Sequence, residues 1–212
     1  LRIPIAREGY PFILIALFCI IIVWLVGLGW LEFLFVPLGI FVVAFFRDPE
    51  RQIPIDAGSI TSPADGKVIK VELIKDEKFL KTDVLRICIF MNVFNVHVNR
   101  AIDSGKVVDV IYNPGKFFNA SLDKASMHNE QNAVIMEDNK GRKFAFNQIA
   151  GLIARRIVCY AKPGMKYEKG QRFGLIRFGS RVDVYLPAGC SPLVKVGEKV
   201  RAGSSILGYW NA

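Results

Sequence analysis

The sequence predicts a mainly β (α+β) globular unit preceded by an N-terminal pair of apolar helices. Three observations lead there. Between Tyr10 and Phe46 the chain carries a single charged residue, Glu32. From Gly58 onward, short stretches alternate apolar and polar residues between turn-forming clusters, the pattern of half-buried strands. Two later segments, "PGMKYEKGQRFGLI" and "VGEKVRAGSSILG", both space glycines alike, Gly164/Gly170 and Gly197/Gly203, ahead of an apolar pair. That spacing is the mark of a duplicated hairpin.

The apolar run is much longer than the about 20 residues that one membrane helix needs. It breaks at Gly27-Leu28-Gly29-Trp30, which predicts helices over about Pro11–Val26 and Leu31–Phe46. Arg2 and Arg7 flank one end, Arg47 and Arg51 the other. Positive residues mark the cytoplasmic side, so both ends are placed in the cytoplasm, with Gly29-Trp30 at the far interface. The expectation is a transmembrane helical hairpin in the inner membrane, with the rest of the chain facing the cytoplasm. A signal peptide would be shorter and would end in small residues, and a buried soluble helix pair would need a larger protein around it. "RDPERQIP" then leaves the membrane with charges and two prolines, which stop a helix. The domains are therefore 1–47, the anchor, and 48–212, the β-rich unit.

The formal net charge of +9 suits an anionic membrane surface. It does not suit nucleic acid, because acids are interspersed and no Arg-rich run or nucleic-acid motif occurs. Cys19, Cys88, Cys159 and Cys190 form no C-x-x-C pair, so neither a zinc site nor a disulfide framework is expected. Strands are predicted at Ser59–Ile60, Lys67–Leu73, Val84–Phe90, Val96–Asn99, Gly105–Tyr112, Ala133–Glu137, Lys143–Gln148, Arg172–Ile176, Arg181–Leu186 and Ser205–Tyr209, with a short helix around Ile149–Val158. The glycine-spaced segments resemble the interlocking hairpins of lipoyl- and biotinyl-carrier barrels. No M-K-M-like display lysine is present, so the barrel is expected without the carrier function.

Histidine is scarce: only His97 in "MNVFNVHVNR" and His128 in "KASMHNEQN". Two histidines cannot build a three-histidine zinc site, which argues against a membrane-stalked metallopeptidase, and no metal is expected. His97 alternates with Val96 and Val98, as an ordinary strand histidine would, facing away from them. Asp65 in "SPADGKV" reads by default as the turn residue of an Asp-Gly pair. Ser180 follows Gly179 in "RFGLIRFGSRVDVYLP" and by default would be a solvated strand residue. A glycine in a strand interior, however, marks a bulge or a close backbone approach. Together Ser180, His97 and Asp65 supply a nucleophile, a base and an orienting carboxylate, a set recognised by roles and not by chain order.

"FFRDPER", "SPADGKV", "FNVHVNR", "FNASLDKASMHNEQN" and "RFGLIRFGSRVDVYLP", in that order from about Phe45 to Gly208, resemble the short bacterial and archaeal form of the phosphatidylserine decarboxylase family. The resemblance implies self-cleavage between Gly179 and Ser180 into a β chain (1–179) and an α chain (180–212) that stay associated. It implies a pyruvoyl group made from Ser180 as the cofactor, with no metal and no pyridoxal phosphate. His97 would deprotonate Ser180 and later serve as the acid, and Asp65 would hold His97. The pyruvoyl ketone would take the amine of phosphatidylserine as a Schiff base, and loss of CO2 would leave phosphatidylethanolamine. Where longer members carry a second histidine, this chain has Phe94, and the residue after the serine is Arg181. "FNASLDKASMHNEQN" is expected to be a mobile loop near the headgroup, with His128 and Asn129 as substrate-binding candidates and His128 equally a plain surface residue. A membrane-anchored lipoyl-like adaptor without catalysis is the competing reading. Ester against ether lipid and homo-oligomerisation stay open.

Overall fold

A computed structural model of the chain describes residues 3–118, 120, 128–152, 156–177 and 179–211. It divides into two compact units, Leu1–Glu50 and Arg51–Ala212.

In the first unit a single 3-10 turn leads into α1 (Tyr10–Leu25), and α2 is Gly29–Phe45. The break falls at Val26–Leu28, as the glycines predict. The stretch Arg7–Leu25 is long and apolar enough to cross a membrane, and Gly29–Phe45 is apolar but shorter. The helices run as a hairpin whose open ends meet. Ala6 N donates to Phe46 O and Asp48 N to Pro4 O, at 2.8 and 2.7 Å, and Phe12 stacks on Phe46. Gly39 lets α2 approach Ile20 of α1 closely. Arg47 donates to the Ala44 carbonyl, setting a cation on the negative end of the helix.

The second unit holds strands β1 (Ser59–Thr61), β2 (Gly66–Lys75), β3 (Asp83–Met91), β4 (Val98–Arg100), β5 (Gly105–Asn113), β6 (Gln131–Glu137) and β7 (Lys143–Ala150). These are followed by β8 (Ile157–Cys159), β9 (Lys166–Tyr167), β10 (Arg172–Ile176), β11 (Ser180–Pro187), β12 (Ser191–Pro192), β13 (Lys199–Val200) and β14 (Ile206–Tyr209). The mainly β expectation holds. Eight strands form one antiparallel sheet in the order β13-β2-β3-β11-β7-β6-β5-β9. Two three-stranded sheets, β1-β14-β12 and β4-β10-β8, complete the unit. The two glycine-spaced segments supply β9 and β13, the opposite edges of the large sheet. Their four glycines all have positive φ, and Gly203 packs beside Gly170.

The helix expected around Ile149–Val158 is not found among the described residues. Ile149 and Ala150 end β7, and Ile157 and Val158 open β8, because pairing with β11 and β10 overrides the local apolar periodicity. Residues 153–155 lie outside the described residues. Nor is Asp65-Gly66 a tight turn: Gly66 begins β2, where its missing side chain admits the Phe90 backbone.

β11 is central and buried on both faces. Val182, Val184 and Leu186 join the main core with Ile87, Ile89 and Phe146. On the other face Tyr185 packs with Phe79 and Ala133, its ring 5.0 Å from that of Phe79. Asp76 secures this cover by accepting from the backbone N–H groups of Lys78, Phe79 and Leu80. Arg181 and Asp183 therefore lie in the interior, paired by Nε–Oδ1 and Nη2–Oδ2 bonds of 2.5 and 2.7 Å. Burial works against the Arg181 charge, but Asp183 outweighs it and holds the guanidinium above its ordinary pKa. Burial also pushes the neighbouring Cys88 thiol up.

Candidate active site

The site forms where two strand links lie side by side. Ser180, the first residue of β11, pairs with Met91 on one flank and Ala150 on the other. Leu175, near the end of β10, pairs with Val98 of β4. The link Asn92–His97 between β3 and β4 thus runs next to the link between β10 and β11. Ile176 N donates to the His97 carbonyl at 3.3 Å, which brings the histidine to the segment that carries Gly179 and Ser180.

Ser180 is completely buried, not solvated, and its Oγ lies 3.4 Å from the Met91 sulfur. Gly179 has φ +61, a left-handed conformation that costs most residues about 1–2 kcal/mol and glycine almost nothing. Beyond Met91 a chain of buried amides leads into the core. Asn99 Nδ2 faces the Met91 sulfur, Gln148 Nε2 donates to Asn99 Oδ1 at 2.9 Å, and Asn132 reaches Gln148.

His97 is 2 % exposed, and Val96 and Val98 on either side are also buried. Its Nδ1 lies 2.9 Å from the Asn95 carbonyl. A carbonyl only accepts, so Nδ1 carries a proton, and in the neutral ring the lone pair is on Nε2. Asn92 shapes the turn that delivers Asn95: its side chain accepts from Phe94 N, and the Asn95 side chain accepts from Asn92 N. Asp65 accepts two bonds from Arg51 Nη2, at 2.8 and 3.0 Å, and one from Ala202 N at 2.8 Å. Its turn docks on β4 through the bond from Arg100 N to Pro63 O. Asp65 and His97 thus flank the same short strand, with Asn95 at the ring and Arg51 at the carboxylate.

His128 is exposed, with its ring edge-on to Phe118. Asn129 is buried, and its amide is spent on backbone: it donates to the carbonyls of Phe118 and Ala150 and accepts from Phe118 N. Asn129 therefore reaches the site by fixing Ala150 opposite Ser180. The rest of the segment expected to be a headgroup loop, Asn119 and residues 121–127, lies outside the described residues.

Sequence reasoning missed Met91, Asn95, Gly151 and the inward side of Arg51. Arg51 reads as a membrane-flanking charge and Gly151 falls inside the helix expected around Ile149–Val158; neither has a local signal for a distant partner. In the fold, Gly151 faces the Gly179 carbonyl.

The junction thus holds a left-handed glycine, a buried serine directly after it, and a buried histidine on the neighbouring link. The phosphatidylserine decarboxylase family model matches residues 38–208. The phosphatidylserine decarboxylase proenzyme of Desulfotalea psychrophila is 49% identical over 98% of this chain and 97% of its own. That of Aromatoleum aromaticum is 52% identical over 96% and 94%. That of Syntrophotalea carbinolica is 48% identical over 97% and 96%. The chain belongs to the phosphatidylserine decarboxylase family, a family of enzymes, which sets aside the adaptor reading.

Proposed function

We propose that this chain cuts itself between Gly179 and Ser180 and then decarboxylates phosphatidylserine to phosphatidylethanolamine at a membrane. The observation that carries the reading is the junction itself, a φ +61 glycine held against a fully buried serine at the start of the central strand. The name "proenzyme" borne by the relatives accords with it.

His97 Nε2 is the base that takes the Ser180 hydroxyl proton. The oxygen adds to the Gly179 carbonyl carbon, the C–N bond breaks, the nitrogen gains the proton, and an ester replaces the amide. Loss of the Ser180 α-proton with cleavage of Cβ–Oγ frees the Gly179 carboxylate. Water then hydrolyses the dehydroalanine, releasing ammonia and leaving a pyruvoyl group at position 180. Asp65 is the positioning carboxylate of the set: it ties Arg51 to the backbone of Ala202 beyond the cut.

Position 180 fits a pyruvoyl group. The group occupies volume the serine already has, between Met91 and Ala150, and the Gly179 carbonyl holds the space that a Cβ on Gly151 would take. When formed, its ketone supplies an electron sink for the pair left by departing CO2. His97 would then return a proton to the substrate carbon, and exposed His128 would meet the headgroup. No described residue other than Ser180 is consumed.

The helical hairpin would hold this site at the bilayer, with both helix ends on the cytoplasmic side of the inner membrane. Its outward apolar surface, including Trp24 and Phe33, supports that placement. Kinship with lipoyl-type barrels is inferred from the two glycine-spaced segments at opposite sheet edges.

Intact-mass measurement tests the reading. The wild-type chain should yield 1–179 with an ordinary C-terminal carboxylate, and 180–212 with a pyruvoyl in place of its N-terminal serine. Ser180→Ala should stay whole and leave phosphatidylserine in mixed micelles untouched. A wild-type preparation that decarboxylates while remaining one chain would sink the proposal.

A further inference from the structure

We infer that Gly151 is a positioning residue for self-cleavage: the hydrogen in place of its side chain is the clearance that holds the Gly179 carbonyl in the plane from which Ser180 attacks. The inference rests on the reading that the chain cuts itself at Gly179–Ser180.

A Cβ built on Gly151 would overlap the Gly179 carbonyl oxygen and lie 2.9 Å from its carbon. One of the two must move, and the surroundings decide which. On the Gly151 side the backbone is secured. Ala150, Ile149 and Gln148 pair in register with Ser180, Arg181 and Val182. Asn129 Nδ2 donates to the Ala150 carbonyl at 2.7 Å, and Ala150 N donates to Glu130 O. Among the described residues no hydrogen bond holds Gly179, which lies in the link after β10 ends at Ile176 and before β11 begins. The carbonyl side therefore yields.

The peptide unit is planar, so moving the Gly179 oxygen rotates the whole Gly179–Ser180 amide. Ser180 Oγ must approach the carbonyl carbon across the face of that plane. The acyl group then passes from nitrogen to oxygen: one C–O bond forms, one C–N bond breaks, and the hydroxyl proton ends on the nitrogen. Rotation of the plane takes the carbon out of line while leaving Ser180, His97 and both flanking strands in place. Gly151→Ala is thus expected to block the first step and spare the fold.

The experiment follows cut-fragment formation in pulse-labelled full-length chains made by cell-free synthesis into detergent micelles. Gly208→Ala is the control, because a Cβ there overlaps another backbone carbonyl, that of Ser191, far from the junction. Gly151→Ala should release 180–212 about a hundredfold more slowly than wild type, the cost of misplacing reacting atoms by about 1 Å. It should keep a far-UV circular dichroism spectrum and a melting temperature matching those of Gly208→Ala, which itself cuts at the wild-type rate. Hydroxylamine, which cleaves esters and spares amides, should free no fragment from Gly151→Ala, since the ester never forms.

Cutting of Gly151→Ala at the wild-type rate overturns the inference, as do an unfolded Gly151→Ala chain, equal slowing of Gly208→Ala, or a fragment freed by hydroxylamine. Failure of the underlying reading looks different: the wild-type chain itself would then show no cut at Gly179–Ser180.

Discussion

At the scale of single residues, His97 illustrates how a common side chain is made specific by its neighbours. The Asn95 carbonyl accepts a hydrogen bond from Nδ1, so in the neutral ring backbone geometry chooses Nε2 as the basic nitrogen. Asp65 in turn engages Arg51 and Ala202. Replacing His97 with Ala should slow the appearance of fragment 180–212 by about 10²–10⁴, the usual contribution of a positioned base. Pulse-chase on denaturing gels reads that rate directly, and unchanged cutting would remove His97 from the mechanism. Ser180, His97 and Asp65 are legible in the sequence as a set of residue types. The identity of the atom that faces each one is not, because Asn95, Arg51 and Ala202 have no marking of their own in the sequence.

At the scale of the element, β11 holds the site in register. Its alternating sequence reads as a strand with one wet face, yet Arg181 and Asp183 are wholly buried. The segment around Phe79 and the central position in the sheet cover the face that the pattern assigns to water. The two charges answer by pairing with each other across one side of their own strand, next to Cys88. Asp183→Asn would leave the Arg181 guanidinium buried without its counter-charge, at a cost of about 3–5 kcal/mol. Urea denaturation of the variant in micelles should show this as a lower midpoint. An unchanged midpoint would mean that the guanidinium finds water or another anion.

At the scale of the whole molecule, the proposed cut falls at the edge of a long ladder rather than at a hinge. Residues 180–187 remain paired with β3 throughout and with β7 through Tyr185. β14 pairs with β1, and Trp210 donates to Asp103 at 2.5 Å while Arg142 stacks on its ring. These bonds cross from the α-chain part to the β-chain part and do not depend on the peptide bond between Gly179 and Ser180. After cutting, fragment 180–212 should co-elute with 1–179 under native conditions and separate only in denaturant. Native and denaturing size-exclusion runs of one sample check this; release of the fragment in native buffer would contradict it.

The sequence by itself determined the elements whose signals are local. The apolar run broken at Gly27–Trp30 gave the helical hairpin within a residue or two, and apolar alternation placed most of the longer strands. Family-like motifs drew Asp65, His97, Gly179 and Ser180 into one proposal. Only the tertiary structure decided that Ser180 begins a strand buried on both faces, that Ile149–Ala150 extends β7 rather than opening a helix, and that Gly151 stands against the Gly179 carbonyl. The physical reason is range. Helix and strand periodicity arise between residues a few positions apart, whereas the junction depends on Ser180 meeting Met91 and Ala150. That meeting is set by sheet order, which no nearby residue encodes.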